Sequence, residues 1–262
     1  MKHFWIKPYL LFFMAAIQAI ALSPGHARAN GPDAAAIVDG AFNYMRDKAS
    51  IAVVDMTIKR PGWERKMTIK AWTVGEENSI FRIVTPAKDK DNGTLKLGNQ
   101  MWTYNPKVNR VIKIPPSMMS QAWMGSDFSN NDLAKTDSII KDYTHAIKEV
   151  KEEDGHKVYV IESIPKPGAP VIWGKQMLEI RDDSLFLKQS FHDENMAPVK
   201  LLTFYDIKTM GGKLYPSKMK MMKADTEGEY TLVEYTEISF PESLPDHIFT
   251  VTTLKNPGAE LP

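Results

Sequence analysis

The chain has 262 residues, 33 basic and 32 acidic side chains, 43% hydrophobic residues and no cysteine. So balanced a charge lacks the basic footprint that a phosphate backbone requires, which argues against nucleic acid as a partner. The missing cysteine excludes disulfides, thiolate metal sites and cysteine nucleophiles, so the fold must rest on its own apolar core.

Lys2 and Lys7 flank the start of an almost unbroken apolar stretch, Tyr9 to Leu22, and Ala27-Arg28-Ala29 offers small residues for cleavage. This pattern is expected of a secretory signal peptide, too short for a comfortable membrane span. Residues 1–29 would then be removed near Ala29, and with no cysteine at the cleavage point no acyl anchor could be attached. Residues 30–262 are expected to form a single exported domain with 30 basic and 32 acidic side chains, a net charge of −2.

After Pro32-Asp33, Ile37, Ala41 and Met45 recur at helical spacing with Val38 and Phe42 beside them, so an amphipathic helix is predicted over 34–48 with Asp33 as its N-cap. From Ser50 the period falls to two. Ala52, Val54, Met56 and Ile58 alternate with more polar neighbours, as do Met67, Ile69 and Ala71, which is the pattern of strands with one buried face. Short connections rich in turn residues, such as Pro61-Gly62, Asp91-Asn92-Gly93, Asp154-Gly155 and Gly211-Gly212, predict antiparallel neighbours.

Twelve runs qualify as strands, near 51–60, 66–74, 79–85, 94–104, 109–114, 144–151, 156–164, 173–181, 185–193, 198–207, 214–224 and 229–240, and about eleven are expected to be real. So many strands without a βαβ rhythm predict one large, strongly curved antiparallel sheet. The run Ile114 to Leu133, IPPSMMSQAWMGSDFSNNDL, interrupts the meander. Pro115-Pro116 should end the strand before it, Ser117 could cap about two helical turns through Met124, and a second short helix could begin near Asn130 or Asn131. Such helices would lie across the concave face.

Catalytic patterns are missing. His145, His156, His192 and His247 are isolated, Gly125-Ser126-Asp127 is not a nucleophile elbow, and no glycine pattern matches a phosphate-binding loop. No cofactor, metal or catalytic residue is therefore expected. Thirteen methionines follow residue 29, concentrated in PSMMSQAWM and SKMKMMK. They suit a surface that repacks around ligands of varied shape, or simply fill the core, as Met219 and Met221 could. Copper ligation is the weaker alternative, because no histidine lies near either cluster.

The run from Gly98 to Leu133, with W-x-Y-x-P, R-x-x-K-I, P-P-S-M-M and W-M-G-S-D-F-S-N-N-D-L, resembles the LolA-like outer-membrane lipoprotein-sorting proteins. GGKLYPSKM and LPDHIFTVTTL are similar to later landmarks of that family, so the resemblance covers nearly all of residues 30–262. It implies a mainly β fold, an incomplete antiparallel barrel with helices covering its concave side. It also implies a soluble periplasmic carrier or chaperone that holds acyl chains of a lipoprotein or lipid between the inner and outer membranes. Its expected partners are the lipid or lipidated protein, an inner-membrane exporter and, transiently, the membrane; the alternative it leaves open is a non-carrier sensor or accessory protein of an inner-membrane lipid exporter. Trp102 and Tyr104 on one strand face, and Ile112 and Ile114 on the next, are expected to line the concavity. Met118, Met119, Trp123, Met124 and Phe128 are expected to form a lid over it, with Gly125-Ser126 as a hinge.

Overall fold

The period-two alternation that begins at Ser50 becomes a single sheet of thirteen strands in the computed structural model, which describes residues 1 and 31–256. The signal-peptide reading falls on residues outside that set. Helix α1 (Ala34–Arg46) starts where Asp33 accepts a hydrogen bond from the Ala35 amide at 3.0 Å, and it buries Ala34, Val38 and Ala41. It stops two residues before the expected end, because Asp47 takes a positive φ of 58° that no helix continues.

The first meander comprises β1 (Ala49–Arg60), β2 (Trp63–Val74), β3 (Asn78–Thr85), β4 (Gly93–Leu97), β5 (Gln100–Asn105) and β6 (Arg110–Lys113). The covering segment comes next, carrying helices α2 (Asn130–Ala134) and α3 (Ser138–Lys141). The second meander comprises β7 (Tyr143–Glu153), β8 (His156–Pro165), β9 (Lys175–Arg181), β10 (Phe186–His192), β11 (Pro198–Met210), β12 (Lys213–Lys223) and β13 (Tyr230–Ser239), and helix α4 (Val251–Lys255) closes the described chain.

The strand order is β6-β5-β4-β3-β2-β1-β13-β12-β11-β10-β9-β8-β7. All of these pairings are antiparallel, and the two meanders join where β13 returns beside β1. β6 and β7 remain as free edges, so the barrel is incomplete. The covering segment runs directly from one edge strand to the other, which obliges it to cross the inner face.

Every candidate run is a strand, and the run 94–104 is two strands. Gly98 takes a φ of 54° and turns the chain between β4 and β5, a reversal hidden by the apolar residues on both sides.

Apolar residues occupy both faces. On the inner face, Ala52, Met56, Ile58, Met67, Ile69 and Ile83 pack in one cluster under the covering segment, and Leu178, Phe186, Phe191 and Phe204 pack in another under α1. On the outer face of β2 to β5, Trp72, Ile80, Leu95 and Tyr104 are covered by Leu244, Ile248, Phe249 and Leu254 of the C-terminal segment. The approach there is close, since a Cβ at Gly93 would lie 2.7 Å from Leu254 Cδ1. Arg82, 6% exposed, donates to the Thr253 carbonyl at 2.8 Å and fastens α4 to the sheet.

Candidate functional site

The covering segment departs from the expected two-turn helix. Pro115 and Pro116 supply no amide, and the chain there makes a single 3-10 turn, Pro116–Met118, with no side-chain cap from Ser117. A bridge between Ala122 and Ser129 then closes a tight reversal around a second 3-10 turn, Trp123–Gly125. Met124 and Gly125 take φ values of 51° and 79°, left-handed conformations that end any helix. The later helix does form. Ser129 caps α2, accepting from the Asp132 amide at 3.1 Å while Asp132 accepts from the Ser129 amide at 2.7 Å.

The reversal is anchored from several sides. Asp127, 2% exposed, accepts from both terminal nitrogens of Arg60 at 2.9 and 3.2 Å, and the Thr231 hydroxyl donates to it at 2.7 Å. Arg65 donates to the Met124 carbonyl at 3.2 Å. The Trp123 indole donates to Thr94 Oγ1 at 3.0 Å, and its ring stands edge-on to Phe81 with centroids 5.4 Å apart. Breaking a pair buried this deeply is strongly unfavourable, so Arg60 and Asp127 hold the segment against the ends of β1 and β13.

Beneath the segment lies a cavity of about 360 Å³, within the range of small-ligand sites. Its floor is the inner face of the sheet, with Val54, Met56, Ile69, Phe204, Met221 and Val233. Phe42 and Met45 of α1, Leu133 and Ile139 of the covering segment, and Trp173 complete the apolar wall. Ile172 also lines the cavity and is 49% exposed, so the space reaches solvent there. Most of these groups are aliphatic, aromatic or thioether, which suits hydrocarbon.

One region of the wall is polar. Ser50, Thr73 and Ser79 are cross-strand partners on β1, β2 and β3, and the row ends at Lys96 on β4. Lys96 is 3% exposed and donates to the Glu76 carbonyl; burial, followed by the positive charge of Arg46, pushes its pKa down to about 8. Arg46, on the last turn of α1, lines the cavity, and burial lowers its pKa too. Elsewhere on the wall, Gln176 and Gln189 bond to each other at 2.7 Å, and Lys200 reaches Asp132 at 2.7 Å.

Of the residues expected at the site, Trp123 and Phe128 line the cavity. Trp102 and Tyr104 do not face it. They partner Leu95 and Gly93 on the outer face and pack in the cluster beneath the C-terminal segment, while Met101 beside Trp102 points inward. Alternation could not decide this, because both faces of β5 carry apolar residues. Ile112 is 42% exposed, Met118 is 38% exposed, and Ile114, Met119 and Met124 pack around the inner cluster without reaching the cavity. The sequence reading missed the larger part of the wall, from α1 and from β9 to β13. The inward alternation of Leu202 with Phe204 and of Met219 with Met221 is the available signal, whereas Phe186 and Phe191 share the inner face only through an irregularity in β10.

Away from the cavity, His156, Asp182 and Asp183 bring potential ligand atoms within 4.8 Å of one another, but Arg181 grips Asp183 at 2.6 and 2.8 Å and His156 is bonded to Asp182. They form a hydrogen-bonded surface cluster.

A family described as an uncharacterized protein matches residues 75–256. No curated protein matches the chain significantly. Among solved structures, a DUF1329 family protein from Desulfovibrio piger is similar with a TM-score of 0.74 at 24% identity, covering 85% of this chain and 100% of its own. A domain named for outer membrane lipoprotein sorting from Vibrio parahaemolyticus gives 0.74 at 22% identity, covering 85% and 98%. A LolA superfamily protein from Nitrosomonas europaea gives 0.70 at 23% identity, covering 85% and 100%. At these identities the likeness establishes the fold.

Proposed function

Since the chain belongs to the family matched over residues 75–256 and has the LolA-like fold, we propose that it is a periplasmic carrier that holds acyl chains of a lipid or lipidated protein in its cavity. The observation that carries this reading is the cavity itself, an apolar space under a segment that joins the two free edges of the sheet. Each methylene taken from water is worth about 0.8 kcal/mol, so a dry site of this kind makes transport of a chain through water favourable. The work requires no cofactor and no covalent step. Trp123 and Phe128 would touch the cargo, together with Met219 and Met221 from β12.

Native mass spectrometry of the full chain, expressed with its leader and recovered from the periplasmic fraction, tests the proposal. The expected result is a population carrying lipid mass, and uptake by the delipidated protein on incubation with membrane vesicles. Recovery of empty protein only, with no uptake and with one inner-membrane protein co-purifying, would replace the carrier by an accessory subunit.

A further inference from the structure

Resting on the carrier reading, we infer that the cargo is an anionic amphiphile, whose carboxylate or phosphate headgroup is received by Arg46 at the polar end of the cavity while its acyl chain lies along the inner face of the sheet.

The polar end is assembled from separate parts of the chain. Arg46 comes from the last turn of α1 and lines the cavity. Ser50, Thr73 and Ser79 present three hydroxyl-bearing side chains in register across three strands, all of them on the cavity wall. The covering segment contributes Thr136, whose buried hydroxyl lacks a hydrogen-bond partner among the described residues. A buried hydroxyl without a partner costs free energy, and a ligand acceptor or donor would satisfy it.

The charges point the same way. Arg46 forms no ion pair among the described residues, although Glu76 and Asp137 lie near enough to influence it. Those carboxylates are held instead by Lys141, at 3.2 and 2.8 Å. Lys96 is close enough for Arg46 to oppose its protonation. Arg46, on the cavity wall and facing the like charge of Lys96 behind it, would gain from an anion in the cavity, and a guanidinium is suited to a planar carboxylate or a phosphate. A guanidinium on the wall of an apolar cavity has no such use for an uncharged cargo.

The test compares three probes on delipidated protein: palmitate, the uncharged alcohol of the same chain length, and inorganic phosphate. The wild type is expected to bind palmitate roughly ten- to a hundredfold more tightly than the alcohol, the size of a charge-assisted hydrogen bond. Arg46→Met should lose that preference and Arg46→Lys should retain part of it, with far-UV circular dichroism and the unfolding temperature showing that both variants are folded. Equal wild-type affinity for palmitate and alcohol, or an undiminished preference in Arg46→Met, would overturn the headgroup assignment and leave the carrier reading standing. Binding of inorganic phosphate as tight as that of palmitate would overturn it in favour of a free-anion site. Failure of both amphiphiles to bind the wild type would remove the assignment and the carrier reading together.

Discussion

Two buried charged residues show how differently single side chains can serve this fold. Asp127 is matched by Arg60 and Thr231, so removing it leaves a guanidinium whose side chain is only 14% exposed with Glu229, at 3.4 Å, as its remaining carboxylate. Asp127→Ala is expected to cost up to about 3 kcal/mol in urea unfolding, because the better-buried of the two carboxylates on Arg60 and its bond from Thr231 are lost while Glu229 still compensates part of the charge. A loss below about 1 kcal/mol would show that solvent reaches Arg60 freely. Lys96 has no carboxylate within ion-pair distance among the described residues, and burial with the nearby Arg46 lowers its pKa to about 8. Between pH 8 and the ordinary lysine range the unfolded chain binds a proton that the folded chain lacks, so stability should rise with pH across that window. Lys96→Met should be more stable than wild type at pH 7, by up to about 3 kcal/mol, and should lose this slope. Unfolding free energies of the two proteins at about pH 7 to 10 provide the check, and parallel slopes would refute the assignment.

Elements are legible where the backbone period and the side-chain pattern agree. The N-cap Asp33 and the stripe of α1 can be read directly, and so can strands whose polar face is plainly polar, such as β1. The covering segment reads as a helix because its residues, Met, Ser, Gln, Ala and Trp, are compatible with one. Its actual course depends on Met124 and Gly125 in left-handed backbone, held by a hydrogen bond from Arg65 to the Met124 carbonyl and by the pair of Ala122 with Ser129. Arg65 lies far outside any short local window around Met124. The faces of β5 are illegible for a related reason. An outer cover exists only because the C-terminal segment returns to it, and LPDHIFTVTTL carries that signal as an apolar stretch in need of a surface. Trp102→Ala should therefore lower the unfolding temperature without altering ligand uptake. For the covering segment, Trp123 as the sole tryptophan should shift its emission during titration with palmitate, since its ring lines the cavity beside Phe81. Constant emission at proven saturation would mean that cargo lies elsewhere.

For the sheet as a whole, curvature without closure leaves a volume that side chains do not fill, and this is where a carrier differs from a protein that merely borrows the fold. Ala71 lines the cavity from the middle of β2, opposite Ala52 of β1, and a small residue at each position keeps the floor clear. Ala71→Phe would project a ring into that space. If the space is an unfilled cargo site, the empty variant should unfold at or above the wild-type temperature, because the ring gains contacts that the cavity walls now lack. If instead the region is already packed, overfilling should cost about 1–3 kcal/mol. Ligand linkage supplies the second readout. At a free palmitate concentration about one hundred times its dissociation constant, the wild type should gain about 2.7 kcal/mol, which for a domain of this size corresponds to an increase of roughly 5–10 °C in unfolding temperature. Ala71→Phe should abolish that increase. A variant that still responds fully to palmitate would place the acyl chain outside this cavity, whereas a destabilised variant with no response would show only that the floor tolerates no larger side chain. In that second case Ala71→Leu, which adds less volume, should restore the empty protein's stability and reduce the response in part.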